Sequence, residues 1–177
     1  RDVDFFYNIT SLIELIKFEI YSFEKPDLIL NIGTCGTIET SGLDIFDIVY
    51  SKDFLIYHDR HTSNAFEKYS VGKYNCDNLG YFKDAKPVIF GTSNSIIINK
   101  NNLEVIKKYG VSCVDMEAAS VAEVCQEENI KFCALKVVTD IVYLDERTSD
   151  TISQFVLNFK TAMEKLCAYI LEEFKVV

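Results

Sequence analysis

Apolar residues recur along the chain at two spacings, one typical of amphipathic helices and the other of buried strands. The helical spacing predicts helices over residues 10–23, 101–109, 117–128 and 148–174. Short apolar runs predict strands over residues 27–32, 45–58, 86–90, 113–114 and 132–138. Residues 59–84 are polar and aromatic without a regular period. Because strands alternate with helices, the pattern predicts an α/β fold, a three-layer αβα sandwich with a mixed central sheet.

Two predicted strands lead into short segments that contain glycine, GTCG at residues 33–36 and GTSNS at residues 91–95. Glycine at such a position permits a positive φ or a close approach of backbone N–H groups to a ligand. The first segment is not a GxGxxG sequence, and no helix is predicted directly after it. Each segment is therefore predicted as a plain tight turn in preference to a ligand-binding loop.

The composition is that of a globular protein, and residues 1–177 are predicted to form one domain. A net charge of −9 argues against nucleic acid or an anionic membrane as a partner, because no basic patch is available to neutralise phosphates. No apolar run is long enough to span a bilayer, and no signal-peptide pattern opens the chain. The six cysteines include no CxxC pair, and several of them lie in predicted apolar strands or helix faces, which predicts reduced, buried thiols in a cytoplasmic protein. With His58 and His61 as the only histidines, no zinc site is expected.

Two carboxylates lie at the two ends of one predicted helix-strand unit. Glu117 opens the helix, and Asp140 follows the strand, where open α/β sheets bind their ligands. Each residue also has an ordinary explanation, Glu117 as a first-turn helix charge and Asp140 as an N-cap. A shielded carboxylic acid can hold its proton at neutral pH and protonate a leaving group, while an ionised carboxylate can accept hydrogen bonds from vicinal hydroxyls. This division suits cleavage of an N-glycosidic bond.

Three segments together resemble the nucleoside phosphorylase superfamily, and within it the 5′-methylthioadenosine/S-adenosylhomocysteine nucleosidases. They are NIGTCG at residues 31–36, VDMEAA at 114–119 and VTD at 138–140, and the resemblance extends over roughly residues 8–174. The resemblance implies hydrolysis of 5′-methylthioadenosine, and as a further substrate S-adenosylhomocysteine, with release of adenine and the thio-ribose. It also implies a homodimer, with a neighbour's loop over the site, and no metal or organic cofactor.

The resemblance implies a role for each matching residue. Asp140 would be the general acid that protonates purine N7, and together with backbone groups near Ile97 it would read the adenine edge. Ile96 would contribute to the base pocket. Glu117 would bind the ribose hydroxyls, and Met116 would pack against the sugar.

The remaining implied residues surround the nucleophile. Thr34, Cys35 and Gly36 would lie near the attacking water and the ribose, and Thr139 would support the loop of the acid. Phosphate-using relatives carry an arginine two residues before the first glycine of this segment, where this chain has Asn31. Without that bidentate partner for phosphate, water is the favoured nucleophile.

The chain also departs from the family pattern. Relatives activate water with an N-terminal glutamate, and no residue near the start of this chain matches it, so we expect a fragment that lacks the family's first strands. Asn94 replaces a common aspartate, and Phe46 replaces a usual glycine, which should change a turn rather than the chemistry. The sequence YHDR at residues 57–60 looks like the plant-type branch, which hints at a preference for 5′-methylthioadenosine, but an ordinary polar loop explains His58 and His61 equally well.

Two other functions stay open at this point. A purine nucleoside phosphorylase would share the fold and release ribose 1-phosphate, and Asn31 counts against it. A non-catalytic nucleoside-binding or storage protein would explain the absent glutamate, and the intact Glu117 and Asp140 pair counts against that. Aromatic residues of the irregular segment, such as Phe66, Tyr69 and Tyr74, could form a dimer surface or belong to the core.

Overall fold

The structure, a computed structural model, describes residues 25–58, 72–80, 82–95, 100–143 and 148–174. The strands in these residues are β1 (Leu28–Ile38), β2 (Ile48–Tyr57), β3 (Lys73–Asn75), β4 (Lys86–Thr92), β5 (Cys113–Asp115) and β6 (Lys131–Val142). The helices are α1 (Lys100–Tyr109), α2 (Ala118–Glu127) and α3 (Thr148–Glu173). The helix predicted over residues 10–23 lies outside the described residues. None of the described helices combines the length and the apolar character needed to cross a membrane.

The strands form one mixed sheet in the order β3-β2-β4-β5-β1-β6. β1 is parallel to β6, and β2, β4 and β5 run parallel to one another, whereas β1 and β5 are antiparallel. The predicted α/β fold with a mixed sheet is therefore confirmed. The flat sheet of a three-layer sandwich is not what the described residues form, because the start of β2 also pairs with β6 and closes the sheet into a partial barrel.

Two bulges account for this curvature. In β2 the pairing with β4 shifts register between Ser51 and Leu55, and Asp53 between them has a φ of 59°. In β1 the pairing with β6 shifts between Cys35 and Gly36, so that Thr139 is skipped. An extra residue in one strand bends that strand and increases its twist, which is how sheets curl towards closure.

The segment of residues 33–36 is not a tight turn, as the sequence had suggested, but the middle of β1. The strand continues to Ile38 and pairs with β6 along its whole length. β6 likewise extends past Val138 to Val142, so Asp140 lies inside a strand and is not an N-cap. The small residues 33–36 leave room for bulky side chains on β6. From the sequence alone, small residues that are needed for this space cannot be distinguished from small residues that are needed for a turn.

The core lies on both sides of the curled sheet. On one side, α2 packs against Tyr57, Phe90 and Phe132, and Tyr74 of β3 joins this cluster with its ring edge-on to Tyr57. Tyr74 is therefore a core residue and not a dimer surface, while Phe66 and Tyr69 lie outside the described residues. On the other side, α3 packs against β6.

The two halves of α3 pack differently. Ala162 and Leu166 are buried, with Met163 and Ile170 packed beside them. The first half exposes apolar side chains, namely Ile152, Phe155, Val156 and Phe159. The reason is that this half of the helix contacts the sheet through polar side chains, which bond the backbone of β6.

Candidate active site

A cavity of about 190 Å³ opens where β1, β6, α2 and α3 meet. Seven of the nine predicted site residues line it: Thr34, Cys35, Gly36, Met116, Glu117, Thr139 and Asp140. The other two, Ile96 and Ile97, lie outside the described residues, although the preceding Ser95 lines the cavity. The sequence therefore identified residues that are distant along the chain and that the fold brings together.

Asp140 lies in the wall of this cavity and is 6% exposed. Burial raises the pKa of its carboxyl above the ordinary value, and a hydrogen bond from the Thr139 hydroxyl to Oδ1 (2.7 Å) opposes that rise. The Thr139 hydroxyl also lies 3.2 Å from the carbonyl oxygen of Cys35. A carboxyl with a raised pKa holds its proton to a higher pH, which is the property that a general acid requires.

Helix α3 fixes the backbone on both sides of Asp140. The Asn158 side-chain amide donates to the carbonyl oxygen of Thr139 (2.9 Å), and the Gln154 side-chain oxygen accepts from the Ile141 N–H (2.9 Å). The Thr151 hydroxyl donates to the carbonyl oxygen of Ile141 (2.9 Å). These bonds hold the end of β6 against the first half of α3, which also contributes Ile152 and Phe155 to the cavity wall.

Glu117 occupies the N-cap position of α2, yet its side chain makes no capping hydrogen bond. Its neighbours perform that function instead. Asp115 Oδ2 accepts from the Ala118 N–H (3.0 Å), and the Thr92 hydroxyl oxygen accepts from the Ala119 N–H (3.0 Å). The Glu117 carboxylate therefore remains directed to the cavity, and the interpretation of Glu117 as a simple helix charge is incomplete.

Lys136 of β6 is buried between two carboxylates. Its Nζ lies 3.1 Å from Asp115 Oδ2 and 3.4 Å from Glu117 Oε2. Burial lowers the pKa of Lys136, but the attraction of the two carboxylates outweighs it, and the pKa lies above the ordinary value. No role for Lys136 or Asp115 was predicted from the sequence. The available signal was a lone lysine inside an apolar strand, since a buried charge requires a partner.

His58 also lines the cavity and is 1% exposed, so it is not part of an ordinary polar loop. A Cβ on Gly91 would come 2.7 Å from its Nδ1, which shows how closely β4 approaches the ring. Asp59, Arg60 and His61 lie outside the described residues. The remaining lining residues that the sequence analysis did not assign to the site are Val114, Val142 and Thr151.

Cys35 lies in the cavity wall, with its side chain hydrogen-bonded to that of Cys113. Burial raises the pKa of Cys35 well above the ordinary value, and the hydrogen bond with the Cys113 thiol adds to this rise. The Cys35 thiol therefore stays protonated and is a poor nucleophile. Within the described residues, no cluster of His, Cys, Asp and Glu side chains could hold a metal ion. The titratable side chains that line the described part of the cavity are those of Cys35, His58, Asp115, Glu117 and Asp140.

The family model of the phosphorylase superfamily matches residues 8–174. The chain belongs to this superfamily. One curated relative is the 5′-methylthioadenosine nucleosidase of Arabidopsis thaliana, which is 31% identical to this chain over 154 residues. These residues cover 85% of this chain and 57% of that protein. The 5′-methylthioadenosine/S-adenosylhomocysteine nucleosidase of Thermotoga maritima is 30% identical over 120 residues, 65% of this chain and 54% of that protein.

The solved structure of the Arabidopsis thaliana 5′-methylthioadenosine nucleosidase in apo form superposes with a TM-score of 0.81 at 28% identity. The match covers 91% of this superfamily chain and 66% of that one. The phosphorylase superfamily, which the sequence motifs predicted, is thus confirmed. The chain spans just over half the length of the curated relatives that it matches.

Proposed function

We propose that this chain carries the site of an N-glycosidic hydrolase that cleaves 5′-methylthioadenosine, with S-adenosylhomocysteine as a further candidate substrate. The observation that supports this most strongly is the pairing of two different carboxyl groups in one cavity. Burial raises the pKa of both carboxyl groups, but only Glu117 has an ammonium group beside it, that of Lys136, which opposes the rise. The names of the relatives, all nucleosidases of this substrate class, support the same choice.

In this proposal Asp140 donates its proton to N7 of adenine. The electron pair of the C1′–N9 bond then passes to the purine, neutral adenine leaves, and the ribosyl group acquires cationic character. Water adds to C1′ and releases a proton to the solvent, which gives the thio-ribose, and Asp140 takes up a proton from the solvent again. Because a protonated purine is a much better leaving group, the proton on Asp140 is the main contribution of this half of the site.

The other residues of the cavity bind the substrate in this proposal. Glu117 accepts hydrogen bonds from the ribose hydroxyls, and Met116, which is 40% exposed at the cavity, packs against the sugar. Thr34, Cys35 and Gly36 lie beside the ribose and the attacking water, and Thr139 supports the acid. Ile96 and Ile97 remain the predicted contacts of the adenine, an assignment that the position of Ser95 in the cavity wall supports.

Water is the proposed nucleophile because the described part of the cavity offers no uncommitted cation. None of its lining residues is Lys or Arg, and the neighbouring Lys136 is already paired with Asp115 and Glu117. A phosphate dianion would require such a partner. Asn31, where phosphate-using relatives were expected to have arginine, is not among the described lining residues. We assign no water-activating base among the described lining residues, since Asp115, Glu117 and Asp140 each have another role.

We further propose a cytoplasmic homodimer. The exposed apolar side chains in the first half of α3, among them Val156 (72% exposed) and Leu157 (81%), support a protein contact beside the cavity. The described cysteines are free thiols, which supports a reducing compartment. Sedimentation of the full chain tests the dimer, with Leu157→Asp expected to shift it towards monomer if this surface is buried between protomers.

The experiment that tests the function measures adenine release from 5′-methylthioadenosine in phosphate-free buffer. We expect release without phosphate, and we expect Asp140→Asn to abolish it while nucleoside binding is weakened but retained. Strict dependence on added phosphate, with ribose 1-phosphate analogues as products, would identify a phosphorylase. Binding without release by the unaltered chain would identify a nucleoside-binding protein.

A further inference from the structure

We propose that Lys136 is a positioning residue for the ribose subsite, holding Glu117 as an ionised acceptor for the sugar hydroxyls while Asp115 holds Lys136. This inference rests on the proposed function. Its basis is the order of the three groups in space. Asp115 has no exposed side-chain surface, Lys136 is nearly as buried, and the side chain of Glu117 is 50% exposed at the cavity. The ammonium group thus lies behind the carboxylate that would meet the sugar.

Asp115 is held more rigidly than Glu117, which makes it the anchor of the three. Its Oδ1 accepts from the Thr92 hydroxyl (2.6 Å), and its Oδ2 accepts both from the Ala118 N–H (3.0 Å) and from Lys136. These bonds come from three different elements of the fold, β4, α2 and β6. Because Asp115 is held in this way, it cannot move together with Lys136. Asp115 therefore determines the position of the Lys136 ammonium group, and the ammonium group determines the position of the Glu117 carboxylate.

The environment of Lys136 leaves space for its ammonium group. A Cβ on Gly33 would come 3.3 Å from Nζ and 3.8 Å from Cδ, so the absence of a side chain on β1 permits the lysine to reach both carboxylates. Gly33 thereby acquires a role that the tight-turn interpretation did not give it. Gly33 and Lys136 are directly paired between β1 and β6.

The charge state matters because ribose hydroxyls donate hydrogen bonds. An ionised carboxylate offers lone pairs on both oxygens, whereas a protonated one presents a competing donor. Burial raises the pKa of Glu117, and the positive charge of Lys136 opposes that rise, while Asp115 reinforces it. The other titratable groups of the cavity wall are Cys35, His58 and Asp140, and none of them supplies a fixed positive charge in the way that a lysine does.

A purely structural ion pair would affect all ligands equally, so the test compares two ligands. Binding of 5′-methylthioadenosine and of adenine is measured by calorimetry in the full chain that carries Asp140→Asn, which prevents turnover. We expect Lys136→Met to weaken 5′-methylthioadenosine binding by about tenfold or more and adenine binding by less than about twofold. Lys136→Arg, which keeps the charge, should recover part of the loss. Equal weakening for both ligands would overturn the inference.

A double-mutant cycle with Glu117→Gln tests the proposed dependence. If Lys136 acts through Glu117, the combination Lys136→Met/Glu117→Gln should bind 5′-methylthioadenosine no more weakly than the weaker single variant. If the affinity losses of the two single variants multiply in the double variant, the two residues act independently and the inference is contradicted. The matched control is Lys86→Met, which removes a lysine paired with Asp47 at 2.6 Å outside the cavity and should leave both affinities unchanged.

Loss of Lys136 alone leaves Asp115 buried without its cation, which can prevent folding. The variant Asp115→Asn/Lys136→Met removes both charges of that pair and still deprives Glu117 of its partner, so the same ligand-specific loss is expected. If this variant keeps its affinity for 5′-methylthioadenosine as well as its affinity for adenine, the inference fails while the proposed function stands. If the parent Asp140→Asn chain binds neither ligand, the proposed function fails, and the inference fails with it.

Discussion

The carboxyl group of Asp140 lies directly against Gly36. A Cβ built on Gly36 would come 2.6 Å from Asp140 Oδ2 and 2.7 Å from Cγ2 of Val142, distances at which neighbouring atoms must move. Gly36 and Asp140 are paired partners just after the bulge between β1 and β6. The absence of a side chain on β1 is therefore what allows the acid to occupy the cavity wall.

This contact predicts that Gly36→Ala displaces the acid. We expect adenine release to fall by about a hundredfold or more, and the free energy of unfolding to fall by about 1–3 kcal/mol, because neither β strand can move freely. Turnover and chemical denaturation of the same preparation provide the measurement.

The control for Gly36→Ala is Gly42→Ala. Gly42 has a φ of +76° with no atoms near its Cβ position, so alanine there costs stability through the backbone alone. It should destabilise the chain by about 1 kcal/mol while turnover remains normal. A Gly36→Ala protein with normal turnover would show that Asp140 does not depend on this contact.

The pH dependence of turnover should report the protonation of Asp140. Because the carboxyl must be protonated to act, activity should fall as the pH rises through its raised pKa. The Thr139 hydroxyl stabilises the ionised form and therefore lowers this pKa. Thr139→Val should raise the pKa further and move the alkaline limb of kcat/KM to higher pH by about half a unit to one unit.

Thr37→Val is the matched control for Thr139→Val. Thr37 is also a buried threonine of the sheet, but its hydroxyl bonds to Ser41 and to the carbonyl oxygen of Ser112, not to the acid. Its replacement should reduce stability and leave the alkaline limb in place. A shift of the limb to lower pH in Thr139→Val would mean that the limb reports a group other than Asp140.

Much of the candidate site could be predicted from the sequence because its residues lie in short segments with a recognisable order. Glu117 and Asp140 are identified by their neighbours along the chain, and both line the cavity. Lys136 and Asp115 were missed because their role depends on a distance across the sheet, 3.1 Å between Nζ and Oδ2, that no local spacing encodes. A buried lysine can be noticed in a sequence, but its partner cannot be identified there.

The fold was predictable to the level of its elements but not of its curvature. Hydrophobic spacing located β4, β5, β6, α1 and α2 to within a few residues, since each buries one face or both. It did not predict the pairing of β2 with β6, nor the bulges at Asp53 of β2 and at Thr139 of β6. Bulges depend on the partner strand, and glycine in a strand resembles glycine in a turn when only the sequence is known.

The polar contacts of α3 predict a second way to disturb the acid. Asn158→Leu removes the donor to the carbonyl oxygen of Thr139, and Gln154→Met removes the acceptor for the N–H of Ile141. We expect each to lower kcat by about tenfold, since Asp140 lies between the two bonded peptide groups and small displacements of a catalytic group are costly.

Ser153→Ala on the same helix provides the control for these two variants. Its hydroxyl donates to the carbonyl oxygen of Ser149 in the preceding turn, on an exposed part of α3. Turnover should be unchanged in this variant. If Asn158→Leu and Gln154→Met also retained full turnover despite folding normally, α3 would not position the acid.

Substitutions at Phe46 test whether the backbone at this residue is strained. Its φ is 74°, a left-handed conformation that glycine adopts freely and phenylalanine does not, while its ring packs partly buried beside the core under α3. Both Phe46→Gly and Phe46→Ala lose the ring, but only glycine relaxes the backbone. We therefore expect Phe46→Gly to be more stable than Phe46→Ala by about 1 kcal/mol, the reverse of the usual order.

Tyr50 provides the comparison for Phe46. It packs against the same core cluster but lies in β2, outside the residues with a positive φ among those described. There Tyr50→Ala should be more stable than Tyr50→Gly by about 1 kcal/mol, because glycine loses more backbone entropy on folding. Urea denaturation of the four variants measures both differences. The same order at both positions would show that the turn around Phe46 relaxes without cost, whereas opposite orders would show that this chain keeps a glycine-like turn under a bulky side chain.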